Sequence, residues 1–214
     1  MRLPDSWNKA PVTLGIAAAT AAVWLLASLF DIELLVAGWG AFWPGRPAEI
    51  AGLPIWLTPL TATLLHAGPL HLIFNLIVLI FCGRPVESVL GSISMAVLYV
   101  LGAYAAAGAQ YAISPTAPMI GASGAVSAVL GAYAMLFGRN KVKLGNPTLA
   151  LWLNALWLMA AWVALQICMG IALAGGGFLS DGEGIQIAVG AHIGGFLVGV
   201  LLANPLLLFR YRRA

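Results

Sequence analysis

Five polar residues set in apolar surroundings carry the chemistry this sequence has to offer: His66, His71, Asn75, Ser123 and His192. His71 and Asn75 are four residues apart, so on a helix they share one face. A serine hydroxyl is a weak nucleophile until a base takes its proton, and His192 is the natural base. There is no acid to complete a triad. The expected unit is therefore a Ser–His dyad, its imidazole oriented by packing or by a further hydrogen bond. Attack of Ser123 on a peptide carbonyl would create an oxyanion. Asn75 and His71 offer side-chain donors for it, and the Ser123 backbone N–H at the start of a helix offers a third. One such donor is typically worth about 3–4 kcal/mol of transition-state stabilisation.

The elements that position these groups follow from composition. Of 214 residues, 62% are hydrophobic and 8% charged. Soluble domains carry roughly 25% charged residues. The chain is therefore read as an all-α integral membrane protein. Two cysteines are too few for a disulfide scaffold. The net charge of +3 comes from scattered residues with no basic face, which argues against a nucleic-acid partner. A bilayer core needs about 20 apolar residues per helix. Six stretches qualify, at about 11–30, 69–90, 92–112, 122–138, 148–173 and 187–208. They form a six-helix bundle within one domain covering 1–214.

Local signals refine these spans. Pro69 suits a helix start and Gly91 a helix stop. Pro85 lies inside the second span, where a helix that bends near water is expected rather than an interfacial loop. Residues 31–57, with Trp39, Phe42, Trp43 and Trp56, read as an outer loop lying in the interface. Residues 174–186 read as a flexible external loop. Cys82 and Cys168 fall toward opposite halves of their spans, so no bridge is expected. The first apolar run is too long for a cleaved signal peptide and is read as retained.

With six spans, nine of the ten Lys and Arg fall on the side of the N-terminus, which places both termini in the cytoplasm. Asp31, Glu33, Glu49, Asp181 and Glu183 then fall outside. The expected setting is a prokaryotic cell membrane. The C-terminal FRYRR reads as an interfacial anchor.

Depth can be measured along the three spans that run from outside to inside. At about 1.5 Å per residue, Ser123 lies about 24 Å above Arg139, His192 about 27 Å above Arg210, and Asn75 and His71 about 22 and 28 Å above Leu90. All four side chains fall in one layer a short way below the outer surface. Gly124, Ala128 and Gly131 form a small-residue stripe on the fourth span, and Gly195 and Gly199 follow His192 on the sixth. Two such stripes suit close packing, which would bring Ser123 beside His192. No Asp, Glu, Lys or Arg sits at mid-depth. That argues against an ion pump, an aspartyl protease or a zinc protease of the HExxH type.

The chain resembles the rhomboid family of intramembrane serine proteases over about residues 50–205. The resemblance rests on His66-AGPL-His71-LIF-Asn75 followed by GRPVESVLGS, on Gly121-Ala-Ser123-Gly124 extended as GASGAVSAVLGAY, and on Ala191-His192-IG-Gly195-FLV-Gly199. It implies a six-helix fold, Ser123 as nucleophile, His192 as general base, and an oxyanion hole of Asn75, His71 and the Ser123 amide. It gives His66 a structural place and leaves Gly121, Gly124, Gly195 and Gly199 as supporting residues. It implies hydrolysis of peptide bonds in or near transmembrane segments of substrate proteins within the lipid bilayer. No cofactor or metal is implied. Substrate entry past spans two and five is implied too, where Trp152, Trp157 and Trp162 could form a gate.

Two departures stand out. Many rhomboids have a Trp–Arg pair in the first outer loop, whereas Trp56 is followed by Leu57 and the only outer Arg is Arg46. Many also carry an aromatic four residues after the nucleophile, stacked on the histidine. Here that position is Ser127, whose hydroxyl is a candidate to orient His192. Two alternatives remain at this point. One is an inactive relative that binds membrane clients, although such proteins usually lack the Ser or the His. The other is a metal-dependent or transport protein using the three histidines.

Overall fold

The computed structural model describes residues 10–47, 50–138, 146–175 and 188–212, with 169–175 as backbone only. Eight α-helices account for most of this: α1 (Pro11–Leu29), α2 (Glu33–Gly40), α3 (Thr58–Thr61), α4 (Pro69–Leu90), α5 (Ser92–Ile113), α6 (Ser123–Phe137), α7 (Pro147–Gly175) and α8 (Val189–Tyr211). Among the described residues there is no β-strand, only an isolated antiparallel bridge between Phe42 and Met119. Five of the helices are long and apolar enough to cross a membrane, and α6 is a shorter apolar helix. These six match the six spans read from the sequence.

The helix ends obey local rules. Pro69 opens α4 at its first turn, where no backbone N–H is needed. Gly91 closes α4 with φ +84°, a left-handed conformation that suits glycine, and hands the chain directly to α5. Asn146 caps α7, its Oδ1 accepting from the N–H groups of Thr148 (3.0 Å) and Leu149 (3.1 Å). Pro85 lies within α4, which runs through it as one helix.

The core surrounds α6, whose residues Ser123–Ala132 are all buried. It packs on α8, α5, α4 and α7, and α1 packs on α4. Small residues permit the tightest approaches. A Cβ on Gly195 would overlap the Gly124 carbonyl, one on Gly199 the Ala128 carbonyl, and one on Gly131 the Phe196 carbonyl. The expected close packing of the fourth and sixth spans is therefore present between α6 and α8. Helix α5 joins the same cluster, with Gly102 against Ala128 and Ala106 against Gly124. Hydrocarbon offers no hydrophobic drive for helices to associate, so contact area gained by small residues is a principal source of cohesion.

A buried carboxylate, not singled out from the sequence, fastens the opposite end of the bundle from Ser123. Glu87, in the last turn of α4, is 1% exposed. It accepts from the Val12 N–H (3.0 Å), the Thr13 N–H (2.8 Å), the Thr13 hydroxyl (2.7 Å) and the Ser92 hydroxyl (2.7 Å). The first N–H groups of α1 lack partners within that helix, and its N-terminal dipole favours an anion. One side chain thus joins α1, α4 and the start of α5.

The connection from α1 to α4 is more ordered than a loop. It contains α2, α3 and a 3₁₀ turn at Ala62–Leu64. Leu34 and Leu35 on α2 are exposed, in keeping with an interfacial position. The segment is held internally by Leu53 N–H to the Trp39 carbonyl (2.9 Å), the Thr61 hydroxyl to the Gly40 carbonyl (2.7 Å) and Arg46 to the Leu53 carbonyl (3.3 Å). It is held to its neighbours by Trp43 Nε1 to the Thr116 carbonyl (2.8 Å) and by the Tyr104 hydroxyl to the Trp56 carbonyl (2.8 Å). Cys82 and Cys168 are both free, as expected. The first two residues of the expected loop 174–186 are the end of α7. The rest of that loop, with Asp181 and Glu183, lies outside the described residues, as do Arg2, Lys9, Glu49, Arg139, Lys141, Lys143 and Arg213.

Candidate active site

The site is built at the N-terminal end of α6. Fifteen residues rise only about 22 Å, less than the ~30 Å hydrocarbon core, so one end of this helix stops inside the bilayer's apolar thickness. Irregular backbone at that depth is tolerated only where protein covers it and satisfies its polar groups. The segment leading to Ser123 meets this demand. Phe42 and Met119 exchange two backbone bonds (3.0 and 2.9 Å), the Gly121 N–H donates to the Ala62 carbonyl (2.9 Å), and the Ala122 N–H donates to His66 Nε2 (3.4 Å).

Gly121 adopts φ +113°. A Cβ there would sit 2.7 Å from His71 Cε1 and 2.8 Å from Nε2. The glycine therefore serves both the turn into α6 and the seating of the His71 ring close to Ser123. His71 in turn touches His66, ring centroids 4.9 Å apart and edge-on. Burial, and secondarily His71 beside it, push the His66 imidazole down to about 3. A neutral His66 fits its role as acceptor of the Ala122 N–H.

Ser123 Oγ and His192 Nε2 lie 2.8 Å apart, and both residues are buried. Their separation in sequence is bridged by the α6–α8 contact, since Gly195, three residues after His192, rests on the carbonyl of Gly124. Asn75 is 1% exposed and one turn beyond His71 on α4. Its Nδ2 donates to the His71 carbonyl (2.8 Å), which leaves one amide N–H for another acceptor. Asn75 bonds neither Ser123 nor His192 directly.

One expectation is corrected by the surroundings of His192. The Ser127 hydroxyl does not bond the imidazole. It donates to the Ser123 carbonyl (2.7 Å) and accepts from Trp162 Nε1 (2.8 Å). A serine in a helix commonly bonds back to the carbonyl four residues earlier, and here that bond uses the one proton the hydroxyl has to donate. The aromatic ring against His192 comes instead from α7: Trp162 lies edge-on to it, centroids 6.2 Å apart at 67°. Trp162 is 4% exposed, so it is not an ordinary lipid-facing aromatic. Trp152 and Trp157 are exposed. The helical spacing of the three gave the signal: steps of five residues turn about 140°, so they cannot share a face. Nδ1 of His192 is buried and has no hydrogen-bond partner.

Residues 55–209 match the family model described as the Rhomboid domain. The chain is 32% identical over 193 residues to a protein named Rhomboid protease GlpG from Pectobacterium atrosepticum, a match covering 90% of this chain and 62% of that one. It is 31% identical over 193 residues to the protein of the same name from Serratia proteamaculans, with the same coverage. To that from Haemophilus influenzae it is 32% identical over 139 residues, 65% of this chain and 64% of the relative. The chain thus spans somewhat over three fifths of the length of these relatives.

Proposed function

The chain belongs to the rhomboid family, and from that premise we propose that it is an intramembrane serine endopeptidase acting on transmembrane segments of other proteins. The observation that carries this reading is the 2.8 Å contact between Ser123 Oγ and His192 Nε2 in a buried setting.

The chemistry follows from the geometry. With its proton on Nδ1, His192 accepts the Ser123 hydroxyl proton at Nε2 as Oγ bonds the substrate carbonyl carbon. The carbonyl oxygen becomes an oxyanion. The Ser123 N–H at the first turn of α6, the free amide N–H of Asn75 and the His71 ring supply donors, and the α6 dipole adds its positive end. His192 then protonates the leaving amine and the C–N bond breaks. Water attacks the resulting ester with His192 again as base, and the Ser123 hydroxyl is restored.

In the proposed orientation both termini are cytoplasmic, and the Ser123 end of α6 faces the outer leaflet of a prokaryotic cell membrane. The basic C-terminal residues support this orientation. Substrates are membrane proteins with a transmembrane segment that can unwind near the cut.

The test uses the full chain in phospholipid vesicles with a panel of transmembrane peptides. Ser123→Ala and His192→Ala should both abolish cutting, and Ser123→Ala should abolish labelling by a fluorophosphonate. Cutting that survives Ser123→Ala, or a wild-type chain that neither cuts nor labels, overturns the reading.

A further inference from the structure

We propose that Trp162 is the positioning residue for His192, and that Ser127 holds Trp162 in place; this rests on the reading of Ser123 and His192 as a dyad. The imidazole has one hydrogen bond, to Ser123, and its Nδ1 has none. One bond at the ring's edge leaves rotation of the ring plane unrestrained by any polar partner. In a triad the bond at Nδ1 supplies that restraint. Here the restraint must come from packing, and the aromatic contact among the described residues is the edge-on one with the Trp162 indole, 6.2 Å between centroids. That separation lies within the range where aromatic pairs attract through their quadrupoles.

A ring can position another only if it is itself fixed. The Trp162 indole N–H donates to Ser127 Oγ at 2.8 Å, and the Ser127 hydroxyl donates in turn to the Ser123 carbonyl at 2.7 Å. Trp162 and Ser127 are both buried, so neither bond competes with water. The relay therefore runs from the backbone of the nucleophile, through Ser127, to the ring that packs on the base. It ties α7 to the relative placement of Ser123 and His192. Ser127 also explains its own size: it stands one turn below Ser123 on the same face of α6, and a larger side chain there would occupy the space of the indole.

The test measures cleavage of a transmembrane peptide by the full chain in vesicles, with kcat and KM separated and thermal unfolding followed in parallel. Trp162→Ala should lower kcat about tenfold with KM changed less than about twofold. Trp162→Phe, which keeps a ring and loses the N–H, should lose about twofold. Ser127→Ala leaves a buried N–H unpaired and should cost more than Trp162→Phe. Adding Trp162→Phe to Ser127→Ala should bring kcat back to the Trp162→Phe level, because both polar partners are then gone. An unchanged kcat in Trp162→Ala, a loss wholly in KM, or simple additivity in the double variant overturns the positioning role while the dyad stands. A wild-type chain that neither cuts nor labels at Ser123 overturns the dyad, and the positioning role with it.

Discussion

Gly199 of α8 lies against the Ala128 carbonyl of α6 so closely that even a methyl group would overlap it. This contact stands below the pair that is proposed to react, on the same two helices. The separation of Ser123 and His192 is therefore set by backbone packing rather than by the reach of two side chains.

Gly199→Leu should part α6 and α8, lower the unfolding temperature in detergent and abolish fluorophosphonate labelling of Ser123. Gly199→Ala should cost about 1–3 kcal/mol, the usual cost of overpacking. Gly108→Ala is the control, because nothing lies within 4 Å of a Cβ at that position. Unfolding curves that treat Gly199→Ala and Gly108→Ala alike would contradict this.

Asn75→Ala should lower kcat by about 10²–10³ with little change in unfolding, the usual effect of removing one oxyanion donor. Asn75→Asp should fall at least as far. A carboxylate has no N–H to give and carries the same sign of charge as the oxyanion. Steady-state cleavage of a transmembrane peptide reads both.

Glu87→Ala should destabilise the bundle by on the order of 3 kcal/mol, because it strands two N–H groups at the start of α1 and two hydroxyls. Protein that remains folded should still label at Ser123, since Glu87 sits at the other end of α4. Denaturant unfolding together with labelling separates the two effects.

His66 gives a pH dependence of stability. The folded chain leaves this imidazole neutral down to about pH 3, whereas an unfolded chain protonates it near 6.5. The unfolded state therefore binds the extra proton, and stability falls as pH drops from about 6.5 toward 3. Between pH 6.5 and 4.5 this one group contributes about 2–3 kcal/mol of that loss. His66→Gln retains an acceptor for the Ala122 N–H and should show a shallower decline. Parallel slopes for the two proteins would refute it.

The sequence yielded the apolar helices because lipid demands long apolar runs, and Pro69 and Gly91 mark ends of two of them. It also set Ser123 and His192 at one level, where the two side chains meet at 2.8 Å, because helical rise is constant. The short helices α2 and α3 were hidden in an apolar, aromatic stretch with no period long enough to read. Ser127 and Trp162 show a different limit. Sequence places a residue along a helix and around it, yet the partner across the interface depends on how helices cross. Trp162 was grouped with two exposed tryptophans, although its angular position already set it apart. Glu87 looked like an ordinary charge near a span end, and its value comes from the start of another helix 74 residues away.

The two backbone bonds between Phe42 and Met119 close a long ring of chain, and Gly121 is moored to Ala62 within the same connection. The stem that presents Ser123 is thus suspended from the α1–α4 connection rather than from α5, which precedes it in the chain. Any displacement of that connection would therefore carry with it the backbone immediately upstream of the serine.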